Sequence, residues 1–373
     1  MMDIAMDQET SEEVLAVITT PKSMLNKSSL IGKIIALIQE NKGKTAALFT
    51  HCTPDPDALG SLLGMSYLLS KYDIQPTLYW SGAISHPQNR SMVNLLQIDL
   101  VPVEEYKEHD LNILVDTVPA NAGTPKEKNI KFDLIVDHHK DLSSKNKSGE
   151  LVLNLKAGST CGTIYYLMEE LGCIFNLDSD SDLKIATAMM IGITTDTENL
   201  MSDDTTELEF HAWSKLHPFK DPTSLKQIVN FERPKFWTEN KAEAVTRANI
   251  REGVGVVGMG VIASKHRDMI ADMADEMANW EDVNTSIVFA IVDGNRIEGS
   301  VRTKSSSISV PSLCNNLGGK FGQGGGKLGK GAYKYELGGA GIEEDDTIDI
   351  KKMACEFFNK KEEERIFKIF KNS

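Results

Sequence analysis

Eight histidines and aspartates lie at the ends of four apolar segments of this chain. The segments read TAALFTHCTPDPD, LNILVDTVP, FDLIVDHHK and IGITTDTENL. A single aspartate at the end of a strand usually caps a helix, but four segments that all end this way are hard to explain by capping alone. We therefore interpret these side chains as one site. They are His51, Asp55, Asp57, Asp116, Asp137, His138, His139 and Asp196.

This combination of side chains favours metal chemistry. Carboxylates and imidazoles without thiolates suit manganese, magnesium or iron better than a structural zinc site. Gathered in one place, these groups would repel one another unless cations neutralised them. Two ions about 3.5–4 Å apart could share one carboxylate and hold a bridging hydroxide, a strong nucleophile at neutral pH. Because the same ions would neutralise charge on a phosphoryl group, the site predicts metal-assisted phosphoester hydrolysis.

The segments that must position these residues predict an α/β fold with a mainly parallel sheet. TAALF, LNILV and FDLIV have the character of buried strands, and they alternate with segments of helical spacing such as ALGSLLGMSYLLSKY and DLKIATAMMIGI. Ligands of an open parallel sheet gather outside the carboxyl ends of its strands. We therefore expect the site at that edge. Ser159 and Thr160 precede a further helical segment and predict a helix cap.

A change in composition divides the chain. The segments HPFKDPTS and FERPKF bring prolines and polar residues around a short helix-like stretch. We predict an extension at 1–28, a catalytic domain at 29–215, a linker at 216–240 and a smaller α/β domain at 241–373. In the last domain we predict strands at GVGVVGMGVI, TSIVFAIVDG and NRIEGSVRTK, with a Met-rich helix between the first strand and the second. A helix near PSLCNNLGG, a glycine-dense loop, the segment GAYKYEL and a closing helix complete it.

Two glycine motifs are similar to nucleotide-binding signatures but lack their context. GVGVVG at 253–258 fits the pattern G-x-G-x-x-G, yet its alternating valines predict a strand rather than a turn into a helix. GQGGGKL is similar to a P-loop, but Leu328 stands where Ser or Thr is required and Phe321 where the first glycine is required. We therefore reject a nicotinamide site and a P-loop ATPase.

Charge and cysteine content restrict the class of protein further. The 373 residues include 40 basic and 54 acidic side chains, a net charge of −14, which argues against binding of long duplex DNA. The five cysteines form no C-x-x-C pair and favour free thiols in a reducing compartment. No apolar run is long enough to cross a bilayer, and the acidic N-terminal segment lacks a signal-peptide pattern. We expect a cytoplasmic protein that does not bind membranes.

The order and spacing of the acids and histidines resemble the DHH phosphoesterase superfamily. The matching elements are H-x-x-x-D-x-D at 51–57, Asp116, the triplet at 137–139 and Asp196. The glycine-rich tail resembles the associated C-terminal DHHA1 domain, and the two similarities cover about residues 30–370. The chain looks most like the oligoribonuclease or nanoRNase A type. The resemblance implies a metal-binding DHH domain followed by a substrate-binding DHHA1 domain.

The resemblance also implies a role for each polar residue. Two Mn²⁺ ions are expected, with Mg²⁺ or another divalent ion as the alternative, and Asp116 would bridge them. The other ligands would be His51 and Asp55 for the first ion, and Asp57, His138 and Asp196 for the second. His139 would lie beside the scissile phosphate or the leaving oxygen, and Asp137 would orient a neighbouring histidine.

Substrate-binding residues are expected mainly in the tail, where the sequence departs from the family. The usual GGGH signature ends here in Lys327, which could replace the histidine as a point charge. Arg302 matches a substrate-facing arginine of the family. Arg90, in the polar block SHPQNR, could contact a phosphate, although a plain loop explains that block equally well. The substrate-binding candidates are Arg90, Arg302, Gly324, Gly325, Gly326 and Lys327.

These expectations define one enzyme and its alternatives. We expect a metal-dependent phosphodiesterase that cuts linear dinucleotides such as pGpG or pApA, and very short RNAs, to mononucleotides, with the smaller domain supplying binding groups across a cleft. The alternatives are a phosphatase of 3′-phosphoadenosine 5′-phosphate, a cyclic dinucleotide phosphodiesterase and, less favoured, an inorganic pyrophosphatase. A nucleotide-binding regulator is the alternative outside enzymes, and the intact metal set argues against it. The oligomeric state, a homodimer included, stays open.

Overall fold

The computed structural model describes residues 22–125, 127–139, 150–342 and 347–371. The chain divides into two compact units. The first contains the described residues up to Ile84 together with Ser91–Asn230, and the second contains Ser85–Arg90 and the described residues from Phe231 onward. Residues 1–21 of the predicted extension lie outside the described residues, and the first helix, α1 (Lys22–Glu40), starts within the remainder of that extension.

Six parallel strands form the sheet of the first unit, in the order β3-β2-β1-β4-β5-β6. They are β1 (Thr45–Phe49), β2 (Gln75–Trp80), β3 (Leu100–Pro102), β4 (Leu111–Val115), β5 (Leu134–Val136) and β6 (Leu151–Leu153). The chain runs outward from β1 to β3 and then returns to β4 on the other side of β1. Such a reversal between neighbouring strands opens a crevice at their carboxyl ends. The predicted parallel α/β fold is confirmed.

One face of this sheet is covered by helices, and on the other face aromatic side chains of the strands pack with Tyr106 and Phe132 from the connecting segments. The helices after α1 are α2 (Pro56–Lys71), α3 (Pro87–Leu96, which belongs to this unit from Ser91 onward), α4 (Thr160–Glu170), α5 (Asp180–Asp196), α6 (Glu207–Leu216) and α7 (Pro222–Val229). Apolar side chains of α1, α2, α4 and α5 are buried with those of β1, β4 and β5. On the other face, Phe49 stacks on Tyr79 with ring centroids 5.3 Å apart.

Helices α2 and α5 approach closely because glycines face the contact. A Cβ atom at Gly192 of α5 would lie 2.7 Å from Cys161 Sγ and 3.0 Å from the Cα atom of Asp57 on α2. A Cβ atom at Gly60 of α2 would lie 2.8 Å from the Ala188 carbonyl oxygen of α5. Since backbone atoms cannot yield as a flexible side chain can, the glycines set the distance between these helices.

The second unit contains a six-stranded mixed sheet in the order β11-β12-β10-β9-β8-β7. Its strands are β7 (Asn249–Arg251), β8 (Val254–Ile262), β9 (Thr285–Val292), β10 (Arg296–Thr303), β11 (Gln323–Lys327) and β12 (Lys330–Glu336). Only the β8–β9 pair among these is parallel. Most of GVGVVG lies in β8, so its interpretation as a strand is confirmed.

Four helices cover the two faces of this mixed sheet. They are α8 (Lys235–Arg247), α9 (Asp268–Met277), α10 (Val310–Gly318) and α11 (Ile348–Lys371). Trp237 of α8 and the methionines of α9 are buried against one face, whereas Leu313 of α10 and Ile366 of α11 are buried against the other. The predicted Met-rich helix, the helix near PSLCNNLGG and the closing helix are therefore confirmed. In the described part of the chain, no helix is both long and apolar enough to cross a membrane.

The glycine-dense segment is a strand, so our prediction of a loop is wrong. Gln323–Lys327 forms β11, which pairs antiparallel with β12 at the edge of the sheet. Lys327 pairs with Lys330, and Gly329 adopts a φ of +77° in the turn between them. A Cβ atom at Gly324 would lie 1.9 Å from the Cys314 carbonyl oxygen of α10. Glycine is depleted in strands in general, but here it lets a helix lie against the strand.

The glycine contact between α2 and α5 can be tested with two matched helical substitutions. We expect Gly192→Ala to lower the free energy of unfolding by about 1–3 kcal/mol, because the added methyl group overlaps fixed atoms. Gly32→Ala on α1 meets nothing within 4 Å. It should be neutral or stabilise by about 0.5–1 kcal/mol, because alanine favours a helix. Urea unfolding of both variants provides the measurement, and equal effects would contradict the packing argument.

Candidate metal centre

The predicted ligands meet at one edge of the parallel sheet. They come from the carboxyl ends of three strands and from two helices. His51 and Asp55 follow β1, Asp57 lies in the first turn of α2, Asp116 follows β4, Asp137, His138 and His139 follow β5, and Asp196 is the last residue of α5. Because β1 and β4 are the strands between which the chain reverses direction across the sheet, this edge is the crevice expected for a ligand.

Their side chains form three overlapping groups, in each of which the potential ligand atoms lie within 4.8 Å of one another. The groups are His51, Asp55 and Asp116; Asp57, His138 and Asp196; and Asp116, His138 and His139. The first two groups correspond to the two ligand sets expected from the sequence. The third group connects them, because Asp116 also belongs to the first group and His138 also belongs to the second.

Asp116 presents one carboxylate oxygen to each side of the site. Its Oδ2 atom lies 3.7 Å from His51 Nε2, and its Oδ1 atom lies 3.7 Å from His138 Nε2. The residue has a φ of +57°, and its N–H donates a hydrogen bond of 2.9 Å to the Val136 carbonyl of β5. Aspartate tolerates this left-handed conformation better than most residues do. The backbone conformation therefore holds Asp116 at the point where its two oxygens can face both sides of the site.

Asp57 is buried and is held by the N-terminus of α4. Its two carboxylate oxygens accept hydrogen bonds from the N–H groups of Thr160 (2.7 Å) and Cys161 (3.0 Å). Ser159 caps α4, as the sequence predicted, by accepting from Gly162 N–H at 3.1 Å. The Thr160 hydroxyl instead donates to Asp116 Oδ1 at 2.8 Å. Sequence reasoning missed this contact, because the Ser-Thr pair carries the ordinary signal of a cap.

Asp137 holds the ring of His139. Its Oδ1 atom lies 2.7 Å from His139 Nδ1 and also accepts the N–H of His138 at 2.9 Å. The carbonyl oxygen of His139 accepts a hydrogen bond of 2.9 Å from Asn154 Nδ2. A buried carboxylate favours the proton on Nδ1, so Nε2 of the half-exposed ring is left for another partner.

The electrostatics of the site favour a cation. Burial raises the pKa of Asp116 well above its usual range, and the carboxylates of Asp57 and Asp55 raise it further. Burial and the charge of Asp196 raise the pKa of Asp57 to about 6. Burial opposes the charging of His138, yet the Asp196 carboxylate beside it raises the pKa of His138 to about 9. In the absence of a metal ion, protons would have to neutralise this cluster.

The donor set fits divalent metal ions. Nε2 of His138 is buried 3.1 Å from Asp196 Oδ2 without the geometry of a hydrogen bond, so a metal ion could replace a proton on this nitrogen. Carboxylate oxygens and imidazole nitrogens are ligands of manganese, iron and magnesium. The two ligand sets would hold one ion each, with Asp116 between them.

Four of the substrate-binding candidates of the tail, Arg302, Gly325, Gly326 and Lys327, line a concavity in the second unit. It has a volume of about 500 Å³ and is lined by Ala271, Ser300, Arg302, Gly325, Gly326, Lys327, Lys330, Gly331 and Ala332. The guanidinium group of Arg302 makes two hydrogen bonds to the Asp275 carboxylate, at 2.5 and 3.2 Å. Gly324 packs on α10 instead of lining the concavity, and Arg90 donates to the Ser85 carbonyl at 2.7 Å.

Comparison with known proteins identifies relatives of both units. The model of the DHH family, N-terminal domain, matches residues 45–193. An uncharacterized protein of Methanocaldococcus jannaschii is 30% identical over 307 residues, which are 80% of this chain and 60% of that protein. A probable manganese-dependent inorganic pyrophosphatase of Lactobacillus acidophilus is 26% identical over 172 residues, which are 43% of this chain and 50% of that enzyme. The chain thus matches half to three fifths of the length of these relatives.

A solved structure shares the fold over nearly its whole length. The crystal structure of an exopolyphosphatase-related protein from Bacteroides fragilis superposes with a TM-score of 0.62 and 15% identity. The match covers 91% of this chain and 98% of that one. At this identity the likeness concerns the fold.

The position of Asp116 predicts that this residue lowers the stability of the metal-free protein and is needed for metal binding. Because the folded state raises its pKa above the unfolded value, Asp116 favours folding least once pH exceeds its folded pKa and it is ionised. At pH 8 we therefore expect metal-free Asp116→Asn to have a Tm at least as high as the wild type. A ligand that binds only the folded state raises the Tm of a protein. Mn²⁺ should therefore raise the Tm of the wild type, and it should not raise that of Asp116→Asn, which lacks the shared ligand.

The control for this experiment is Asp178→Asn, which changes an exposed aspartate in the same unit. This variant should be stabilised by Mn²⁺ as much as the wild type is. Differential scanning fluorimetry with and without Mn²⁺ measures all three proteins. Equal stabilisation of Asp116→Asn would contradict a shared role of Asp116 in metal binding.

Proposed function

Because this chain belongs to the DHH superfamily, we propose that it is a metal-dependent phosphoesterase whose aspartates and histidines hold two divalent cations. The observation that carries the proposal is the connection between the two ligand sets, in which one oxygen of Asp116 faces His51 of the first set and the other faces His138 of the second. The predicted superfamily is confirmed, whereas the nanoRNase A type stays a prediction. We propose Mn²⁺ as the metal, since one relative is a probable manganese-dependent enzyme and the ligand set suits this ion.

The protein's own residues would hold the reacting groups in place. When bound, divalent ions polarise a phosphoryl oxygen and lower the pKa of water. Asp57 enters this site with its orientation fixed by two N–H groups of α4. Asp137 orients the ring of His139 through its Nδ1 atom, and this contact does not involve Nε2. We propose that His139 Nε2 contacts the phosphate or exchanges a proton with the leaving oxygen.

We propose linear dinucleotides with a 5′-phosphate as the substrates, with very short RNAs as poorer ones. A net charge of −14 disfavours binding of a long polyanion at moderate salt, because further phosphates meet an acidic exterior. The concavity lined by Arg302 and Lys327 offers cations to one phosphate group of the substrate. We propose that the protein binds neither membranes nor long duplex DNA.

A panel of substrates tests this proposal. With Mn²⁺ present, we expect kcat/KM to be highest for pGpG or pApA and to fall at least about tenfold by five or six nucleotides, the effect of losing one contact of about 1.4 kcal/mol. A 5′-hydroxyl dinucleotide and cyclic dinucleotides should be poorer, because they lack the terminal phosphate. Product analysis by chromatography gives the rates, and equally efficient cleavage of a ten-nucleotide RNA would contradict the substrate assignment.

The proposed role of the tail predicts a change in substrate binding without a change in metal binding. Losing a charge-assisted phosphate contact costs about 1.5–3 kcal/mol, so Lys327→Ala should lower kcat/KM about ten- to hundredfold. Arg302→Ala should act in the same direction. Lys334→Ala, on β12 of the same hairpin, is the matched control and should leave the kinetics unchanged. Unaltered kinetics of Lys327→Ala and Arg302→Ala, with normal Mn²⁺ content, would exclude the concavity as a substrate site.

Inorganic pyrophosphatase is the second candidate function, favoured by the match to the Lactobacillus acidophilus protein. Pyrophosphate carries two phosphoryl groups and needs no base or sugar contacts. Phosphate release from pyrophosphate, measured beside dinucleotide hydrolysis at equal Mn²⁺, separates the two. The same assay with 3′-phosphoadenosine 5′-phosphate tests the phosphatase alternative.

A further inference from the structure

The buried side chain of Thr160 contacts the carboxylate that lies between the two groups of ligands. Its hydroxyl donates to Asp116 Oδ1 at 2.8 Å, and its N–H donates to Asp57 Oδ2 at 2.7 Å. Ser159, the preceding residue, provides the cap of α4. Capping therefore does not occupy the Thr160 hydroxyl, which makes its bond to a carboxylate instead.

This hydrogen bond constrains the side chain of Asp116, whose torsions the backbone leaves open. The backbone of Asp116 is fixed by its bond to Val136, but its carboxylate could still rotate about the bond to Cβ. Such a rotation would change which oxygen faces His51 and which faces His138. A donor at Oδ1 resists the rotation, since turning the carboxylate away would leave a buried hydroxyl without its partner.

The helix that carries the donor is itself held in place. Glu209 is buried, and its Oε1 atom accepts the N–H of Ser159 at 3.2 Å. Its Oε2 atom accepts the N–H and the hydroxyl of Thr206, both at 2.8 Å, in a capping box at the start of α6. The N-terminus of α4 is thus anchored on one side to α6 and on the other to Asp57.

We infer that Thr160 is a positioning residue for the metal centre, acting through the orientation of Asp116. The inference rests on the proposed metal-binding role of Asp116 and adds a residue that acts through this ligand. Groups that orient a metal ligand typically change metal affinity by about 10- to 100-fold when they are removed.

Two substitutions at Thr160 separate its hydroxyl from its other atoms. Thr160→Val keeps the shape and the N–H that binds Asp57, but it removes the donor to Asp116. Thr160→Ser keeps the donor. Calorimetric titration of the metal-free proteins with Mn²⁺ should show affinity about tenfold or more weaker for Thr160→Val, and within about threefold of the wild type for Thr160→Ser. If Thr160→Val does not fold, Thr160→Ala removes the same donor together with the γ-methyl group and carries the same expectation.

A matched control on the same helix excludes a general effect on α4. Thr163→Val also removes a buried hydroxyl, whose bond of 3.4 Å goes to the Ser159 carbonyl. It should bind Mn²⁺ as the wild type does, even if its Tm falls. Equal affinities of Thr160→Val and wild type, or equal losses for the valine variants at 160 and 163, would overturn the inference. Wild-type protein that binds no Mn²⁺ would overturn the proposed function as well.

Discussion

The crowding of carboxylates between β1 and β4 is the constraint on which the rest of the first unit depends. Asp57 and Asp116 are both buried, and the charge of Asp57 raises the pKa of Asp116. Burying like charges is costly unless donors or cations compensate. The fold supplies donors first: two N–H groups for Asp57, the Thr160 hydroxyl for Asp116 and the Ala58 N–H for Asp55. The ligands are therefore oriented before a cation completes the balance.

The site also contains backbone conformations that cost stability. Asp116 lies in the left-handed region, and so do three consecutive residues just after Asp196, namely Glu198, Asn199 and Leu200. Each such residue costs on the order of 1–3 kcal/mol unless its surroundings stabilise it. Thr197 contributes that support, because its hydroxyl oxygen accepts the Leu200 N–H at 3.0 Å. A turn of this kind ends α5 abruptly and leaves Asp196 at the tip of the helix. Local strain and glycine contacts together position the ligand.

The sequence predicted the site better than the contacts that support it. Acids and histidines after apolar strands obey a general rule of parallel sheets, so the ligand set and the sheet could be inferred without coordinates. The contacts of Gly192 with Asp57 and of Thr160 with Asp116 join residues far apart in sequence, and nothing in the local pattern marks them. The strand β11 was missed for a different reason. Its glycines have low strand propensity, and only their contact with α10 explains them.

The two units differ in how specifically they can recognise a phosphate. In the first, several oriented ligands define fixed positions around Asp116. In the second, both bonds that an arginine fork would offer to a phosphate are made to Asp275. The remaining charge of the concavity comes from lysines such as Lys327, whose flexible ammonium groups respond to charge more than to shape. Under the proposed function, the first unit would therefore hold a phosphate by fixed geometry, whereas the concavity of the second unit would respond mainly to negative charge.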